Sequence, residues 1–201
     1  GLSIHGTGGT DSARYCYTIW LRHLSILFKN GFTKIPNTIA ELGPGDSIGT
    51  GLAGLLSGSK KFYALDVIEH TEIKKNISIF DELVTLFANR SALPDDNEFP
   101  RAVPRLTSYN FPSQIFADDN LEKFLEKSRT SSLRNELLDM KKQKNSIQYM
   151  CPWYDPKIIE NDSVDLIFSQ AVLEHVEDLR NTYRAMYRCC LLYTSPSPRD
   201  A

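Results

Sequence analysis

The sequence has few cysteines, almost no net charge and no long apolar run. Its 4 cysteines show no paired spacing once Cys190, which belongs to an atypical C-terminal stretch, is set aside, so neither a disulfide framework nor a metal site is indicated. The 23 basic and 25 acidic residues nearly balance, which argues against nucleic acid as a bulk electrostatic partner. Apolar runs fall far short of the roughly 18 residues that a membrane span requires, and no secretory signal is visible. We therefore expect a cytoplasmic protein with no membrane partner.

The most informative feature is the glycine-rich block ELGPGDSIG at residues 41–49. The apolar, partly β-branched residues 38–42 lead into it and predict the first buried strand of a parallel sheet. Gly43 and Gly45 then allow a tight turn and let the backbone approach a ligand closely. This combination predicts a strand, a ligand-binding turn and a helix in succession.

The residues after the block fit the same unit. Ser47 is able to cap the following helix, whose leucines recur at helical spacing and which stops at Gly58. A second apolar strand, residues 62–65, ends at Asp66. This carboxylate follows the first glycine by about 20 residues, the spacing expected for an acid that holds the ribose hydroxyls of an adenosine cofactor.

The charges of the turn favour one class of adenosine cofactor. A pyrophosphate requires free N–H groups without nearby anions, yet Glu41 ends the strand, Asp46 lies in the loop, and Pro44 removes a donor. S-adenosylmethionine has no phosphate and carries a sulfonium and an ammonium group, which carboxylates attract. The turn therefore favours S-adenosylmethionine over a dinucleotide.

Three blocks in this order resemble class I S-adenosylmethionine-dependent methyltransferases. They are ELGPGDSIG with Asp66, YMCPWYD at residues 149–155, and SVDLIFSQAVLEHVEDL at residues 163–179. The resemblance implies an α/β fold, a doubly wound Rossmann-like parallel sheet with flanking helices. This chain would supply the first four strands only, with a helical insertion between strands 2 and 3. The implied activity is methyl transfer.

The resemblance also assigns roles to single residues. Glu41 matches the acid that orients the methionine moiety and Asp66 the ribose acid, whereas Trp153 matches the adenine-side loop or is a core aromatic. Ser169 and Gln170 follow the fourth strand, where ligands of open α/β sheets bind. The predicted cofactor-binding set is Glu41, Gly43, Pro44, Gly45, Ser47, Asp66, Val67, Pro152, Trp153, Ser169 and Gln170.

His175 is a candidate general base, because an imidazole suits proton removal from a hydroxyl acceptor near neutral pH. Methyl transfer often needs little beyond alignment of the reactants. An orienting or packing role for His175 is therefore the stronger reading. The sequence does not identify the methyl acceptor, although a small molecule or sugar-like compound is favoured. It does not identify the oligomeric state either.

Helical patterns lie on both sides of the second strand. An amphipathic helix with Asp11 or Ser12 as its start and Gly31 as its stop precedes the first strand and is expected to cover the sheet or the cofactor mouth. Between the second strand and a third strand near residues 147–150, an insertion spans residues 90–146. It combines a proline-broken segment with one helix over about residues 120–144, and is either a lid over the acceptor pocket or a surface addition.

The N-terminus of the chain is expected to be incomplete, and its C-terminal stretch is expected to be non-native. The chain starts with Gly1, and residues 190–201 resemble a translated sequencing-library adapter, with a Ser/Pro-rich disordered tail as the alternative. Residues 1–189 would then be an incomplete S-adenosylmethionine-binding domain. Because an apolar fourth strand, Val164 to Phe168, with one unpaired edge is prone to aggregation, we expect residues 1–201 alone to be insoluble or inactive.

Two other functions remain open on the sequence. The stretch GDSIG also resembles the nucleophile block of GDS-type serine esterases, with Ser47 as nucleophile, although the Asp-x-x-His block of such enzymes is not present. A non-catalytic adenosine-cofactor-binding protein is the other alternative. Binding of the cofactor without turnover would identify it.

Overall fold

Four parallel strands form one sheet. The computed structural model describes residues 9–68, 71–116, 118–140, 144–153 and 159–190. The strands lie in the order β3-β2-β1-β4, with β1 at Thr38–Leu42, β2 at Lys61–Leu65, β3 at Ile147–Met150 and β4 at Leu166–Ser169. The chain runs outward from β1 to β3 and returns to the other side of β1, so a topological switch point lies between β1 and β4. The predicted Rossmann-like parallel sheet is confirmed.

Alternate strand residues face two cores, one on each side of the sheet. Ile39 and Phe62 belong to the larger core, whose helices are α1 (Ala13–Lys29), α2 (Gly49–Leu56) and α3 (Ile73–Ala88). Ala40 and Tyr63 point the other way, into a smaller core with α6 (Leu179–Cys189). Helices therefore flank both faces, as a doubly wound sheet requires.

Helix α1 is a core element that covers the sheet. Its start is the predicted one, since the Ser12 hydroxyl oxygen accepts the backbone N–H of Tyr15 at 3.4 Å. The indole N–H of Trp20 donates to Ser57 Oγ at the end of α2, at 2.7 Å. Tyr17 packs edge-on against Phe87 of α3, with ring centroids 4.9 Å apart. The contacts hold α1 across α2 and α3.

The insertion follows the crossover helix α3 and begins with a proline-containing segment, residues 94–112, which is anchored on α1. The anchor is Arg22, which is fully buried. Its guanidinium donates to Asp96 Oδ1 at 2.9 Å and to the carbonyls of Ala102 at 2.8 Å and Pro94 at 3.2 Å. These bonds neutralise a buried charge and satisfy carbonyls that no helix or strand would pair.

The single helix predicted over about residues 120–144 is wrong. The structure has two helices, α4 (Asp118–Phe124) and α5 (Lys127–Glu136), separated by a break at Glu126, whose backbone is extended. The break lets Arg129 turn back toward α2, where it donates to the carbonyls of Leu55 at 2.8 Å and Ser59 at 3.0 Å. A tertiary contact therefore overrides the local helical pattern.

The start of β4 also differs from the expected one. The prediction placed Val164 in the strand, but β4 begins two residues later, and Val164 forms an isolated parallel bridge with Cys190. Asp165, which lies between Val164 and the start of β4, accepts the backbone N–H of Thr38 at the start of β1, at 2.9 Å. Apart from Cys190, the predicted adapter-derived tail lies outside the described residues.

Candidate functional site

The glycine turn, residues 42–47, leaves β1 at its carboxyl end beside the switch point. Gly43 has φ +66°, a left-handed conformation that favours glycine, and its N–H donates to the carbonyl of Leu65 at 2.8 Å. A Cβ atom on Gly43 would lie 2.6 Å from Val172 Cγ2. The β4 loop, residues 170–178, therefore packs directly on the turn, and position 43 has no room for a side chain.

An N-terminal strap, residues 9–12, lies on the other side of the turn. Gly45 has φ +74°, and a Cβ atom there would lie 3.2 Å from Thr10 Oγ1. The Ser47 hydroxyl, which is fully buried, donates to the Thr10 carbonyl and accepts the N–H of Gly49 at 3.1 Å. Pro44 is buried within the turn. Ser47 thus fixes the turn and the strap to each other.

Glu41 brings a carboxyl group into the interior, with 2% of the residue exposed. Burial raises its pKa to about 8, and the nearby Asp66 adds to the rise, while hydrogen bonds from the Thr50 hydroxyl and the Gly51 N–H oppose it. Its Oε2 atom has no hydrogen-bond partner among the described residues. The site therefore contains an acid for which burial outweighs the two donors that favour its ionised form.

Asp66 stands at the end of β2 with both carboxylate oxygens positioned. Oδ1 accepts the N–H of Val67 at 2.7 Å, and Oδ2 lies 3.2 Å from the Tyr149 hydroxyl that donates to it. The Val67 and Ile68 side chains next to it are each 58% exposed. An oriented carboxylate beside exposed apolar side chains suits a ligand that has both hydroxyls and an aromatic ring.

The loop that follows β3 is tied to Asp66 through its backbone. The backbone N–H of Trp153 donates to the Asp66 carbonyl at 3.0 Å. The residue is only 6% exposed and packs in the smaller core. Pro152 beside it is exposed. The indole therefore occupies the position of a core aromatic, and its contact with adenine stays a prediction. Asp155 lies outside the described residues.

The end of β4 faces α1 across the switch point. Ser169 pairs in register with Leu42, and the Gln170 side chain lies near those of both Tyr15 and His23. Burial lowers the pKa of His23, and the nearby Gln170 partly offsets this. Gln170 thus brings the β4 loop close to two polar side chains of α1.

Buried polar atoms without partners concentrate around this end of the sheet. Within the described ranges the side-chain atoms of this kind are Thr10 Oγ1, His23 Nε2, Glu41 Oε2 and Ser169 Oγ. Glu41 and Ser169 belong to the carboxyl ends of β1 and β4, Thr10 lies against the turn, and His23 lies near the β4 loop. Because buried polar groups are normally hydrogen-bonded, this arrangement indicates a binding site for a polar ligand.

His175 lies in a short 3₁₀-helix, Leu173–His175, within the β4 loop. Its side chain is 72% exposed, and Nε2 lies 3.5 Å from Glu174 Oε1. The structure therefore leaves it accessible to an acceptor, and the general-base role stays a prediction.

Sequence reasoning missed Thr10, Tyr15, His23 and Thr50. Thr50 directly follows the glycine block, which was a usable signal. The other three depend on how α1 and the strap cross the switch point, and the local sequence carries no trace of that packing.

Within the described part of the chain, no group of three or more His, Cys, Asp or Glu residues could hold a metal ion. No helix in that part has the length and apolar character needed to cross a membrane.

Residues 102–191 match a family model described as a methyltransferase domain. The matched segment is a little under half of the chain and contains β3, β4, the β4 loop and α6. Glu41, the glycine turn and Asp66 precede it. The chain matches no curated protein and no solved structure.

Proposed function

We propose that this chain, whose residues 102–191 match a family model described as a methyltransferase domain, binds S-adenosylmethionine at the carboxyl ends of β1, β2 and β4 and transfers its methyl group. The observation that carries the proposal is Glu41. A buried carboxyl whose Oε2 lacks a partner is stabilised when a cation binds beside it. The amino-acid end of this cofactor carries such a cation.

The remaining geometry fits the adenosine part of the same cofactor. Asp66, oriented by Val67 N–H and the Tyr149 hydroxyl, would accept the ribose hydroxyls. The exposed Val67 and Ile68 side chains offer an apolar surface for the adenine ring. The half-buried Asp46 lies in the turn, where its carboxylate would repel a pyrophosphate, and the buried Glu41 favours a ligand that brings a cation.

The bound cofactor supplies an activated methyl group, so the protein's task is to align the acceptor and exclude water. Gln170, Tyr15 and Ser169 line the β4 side of the switch point and are candidates to position the acceptor. The exposed His175 is a candidate to take a proton from a hydroxyl acceptor. A small-molecule or sugar-like acceptor is favoured by the near-neutral charge balance of the chain.

Substitution of Glu41 tests the cofactor assignment. We expect Glu41→Gln in the full-length protein to weaken binding of S-adenosylhomocysteine about tenfold or more, the usual effect of losing a charge-assisted hydrogen bond. Calorimetric titration at pH 8 measures this, with Glu122→Gln, an exposed acid on α4, as the matched control. Wild-type affinity in Glu41→Gln contradicts the proposal.

The esterase alternative is disfavoured by the position of Ser47. The residue is fully buried, and its hydroxyl contacts the Thr10 carbonyl, the Gly49 N–H and, at 4.0 Å, Cys16 Sγ. None of these groups is a general base. The non-catalytic alternative is distinguished by turnover: a protein that binds the cofactor and methylates no acceptor would fit it.

A further inference from the structure

The N-terminal strap carries a polar side chain that the proposed cofactor contacts leave unused. Thr10 is 8% exposed. Its carbonyl is held from two sides, by the Ser47 hydroxyl and by the Cys16 thiol, whose Sγ lies 3.5 Å away. The backbone of Thr10 is therefore fixed against the glycine turn.

The Thr10 hydroxyl lies beside that turn at Gly45. Oγ1 lies 3.2 Å from the position that a Cβ atom would occupy on Gly45. It has no hydrogen-bond partner among the described residues, although it is shielded from solvent. Leaving a buried hydroxyl unpaired costs free energy. A ligand that reaches the turn would recover that cost by pairing with it.

Two of the other unpartnered atoms indicate which part of a ligand comes here. Glu41 Oε2 attracts a cationic group, and Ser169 Oγ at the end of β4 is also unpaired. The amino-acid end of S-adenosylmethionine presents an ammonium and a carboxylate on one carbon atom. If Glu41 takes the ammonium, the neighbouring carboxylate needs a donor on the same side of the turn, and the Thr10 hydroxyl is such a donor.

We propose that Thr10 is a further cofactor-binding residue, whose hydroxyl donates to the carboxylate of the amino-acid end of the cofactor. This inference rests on the proposed function. The strap then recognises the amino-acid end, whereas Asp66 recognises the ribose. Ligands that lack the amino-acid end do not depend on Thr10.

The test compares two ligands by calorimetric titration of the full-length protein. S-adenosylhomocysteine has the amino-acid end, and methylthioadenosine lacks it. We expect Thr10→Val to bind S-adenosylhomocysteine about tenfold or more weakly and methylthioadenosine as tightly as the wild type. Thr10→Ser, which keeps the hydroxyl, should bind both normally. Thr85→Val, in which the exposed Thr85 of α3 is changed, is the matched control.

The outcomes separate this inference from the function on which it rests. Wild-type protein that binds neither ligand overturns both. Wild-type protein that binds both, with Thr10→Val unchanged or weakened equally for the two ligands, overturns the role of Thr10 alone. Thermal melting of each variant identifies a change in affinity that comes from loss of folding. If Thr10→Val does not fold, Thr10→Ala supplies the same comparison.

Discussion

At the scale of single residues, Glu41 combines burial with an unpaired carboxylate oxygen. Its register partners are Ala64 on β2 and Phe168 on β4, so the side chain leaves the middle of the sheet rather than an edge. A neutral residue at this position would fold at lower cost. A costly residue next to a glycine turn is understandable as a binding group, since function and stability often oppose each other.

The raised pKa of Glu41 predicts a pH dependence of stability. The folded state holds a proton up to about pH 8, whereas the unfolded chain releases it near pH 4.5, the ordinary value for this carboxyl. The stabilisation of the folded state by protonated Glu41 is therefore complete below about pH 4.5 and is lost as the pH rises toward about 8. The free energy of unfolding falls over this range by an amount on the order of a few kcal/mol. Glu41→Gln should remove this loss.

Urea unfolding of the ligand-free protein between about pH 5 and pH 9 measures the effect, since both limits bracket the folded pKa. We expect the variant to gain stability relative to the wild type as the pH increases. Glu122→Gln should follow the wild-type curve. Parallel curves for the wild type and Glu41→Gln would show that Glu41 is not the titrating group.

At the scale of elements, α1 and the proline-containing segment are joined by two arginines in different surroundings. Arg22 is fully buried and satisfies Asp96 and backbone carbonyls. Arg14 pairs with Glu98 at 2.6 Å, but 44% of its side chain is exposed. Changing each arginine to alanine therefore compares the stability contributed by a buried anchor with that contributed by a surface ion pair.

We expect Arg22→Ala to lower the free energy of unfolding by about 3 kcal/mol or more, because it leaves buried carbonyls without their donor and removes the buried partner of Asp96. Arg14→Ala should cost less than about 1 kcal/mol, as exposed ion pairs usually do. Chemical denaturation of both variants measures the difference. Equal losses would mean that Arg22 is not the anchor of the segment.

The elements also show where sequence patterns suffice and where they fail. The strands near Ile39, Phe62 and Ile147 could be predicted because alternating or continuous apolar residues record burial directly. The break between α4 and α5 could not be predicted from the sequence, because it depends on the hydrogen bonds of Arg129 with carbonyls at the end of α2. Nothing in residues 120–136 alone encodes that distant partner.

The same division applies to the candidate site. Glu41, Asp66 and Ser169 come together because parallel strands end at the same edge of a sheet. Thr10, Tyr15 and the buried position of Trp153 depend on how separate segments pack against that edge. Their cofactor roles stay predictions until ligand binding is measured.

At the scale of the whole molecule, the insertion has two parts with different surroundings. Helices α4 and α5 reach the carboxyl end of α2 through Arg129, and the glycine turn precedes the opposite end of α2. The proline-containing segment instead approaches the site, since Phe99 packs edge-on against Tyr15 at 5.3 Å. That this segment forms a lid over the acceptor pocket stays a prediction. Deletion of residues 95–146 would also remove Arg129 itself and the partners of Arg22, and so would not isolate a lid.

The central claim is that two acids at a glycine turn, the buried Glu41 and the half-buried Asp46, select a cationic adenosine compound over a compound that carries a pyrophosphate. Calorimetric titration of the wild-type full-length protein with S-adenosylhomocysteine and, separately, with NAD tests it most directly. We predict saturable binding of S-adenosylhomocysteine and no measurable binding of NAD. Saturable binding of NAD together with no binding of S-adenosylhomocysteine would contradict it.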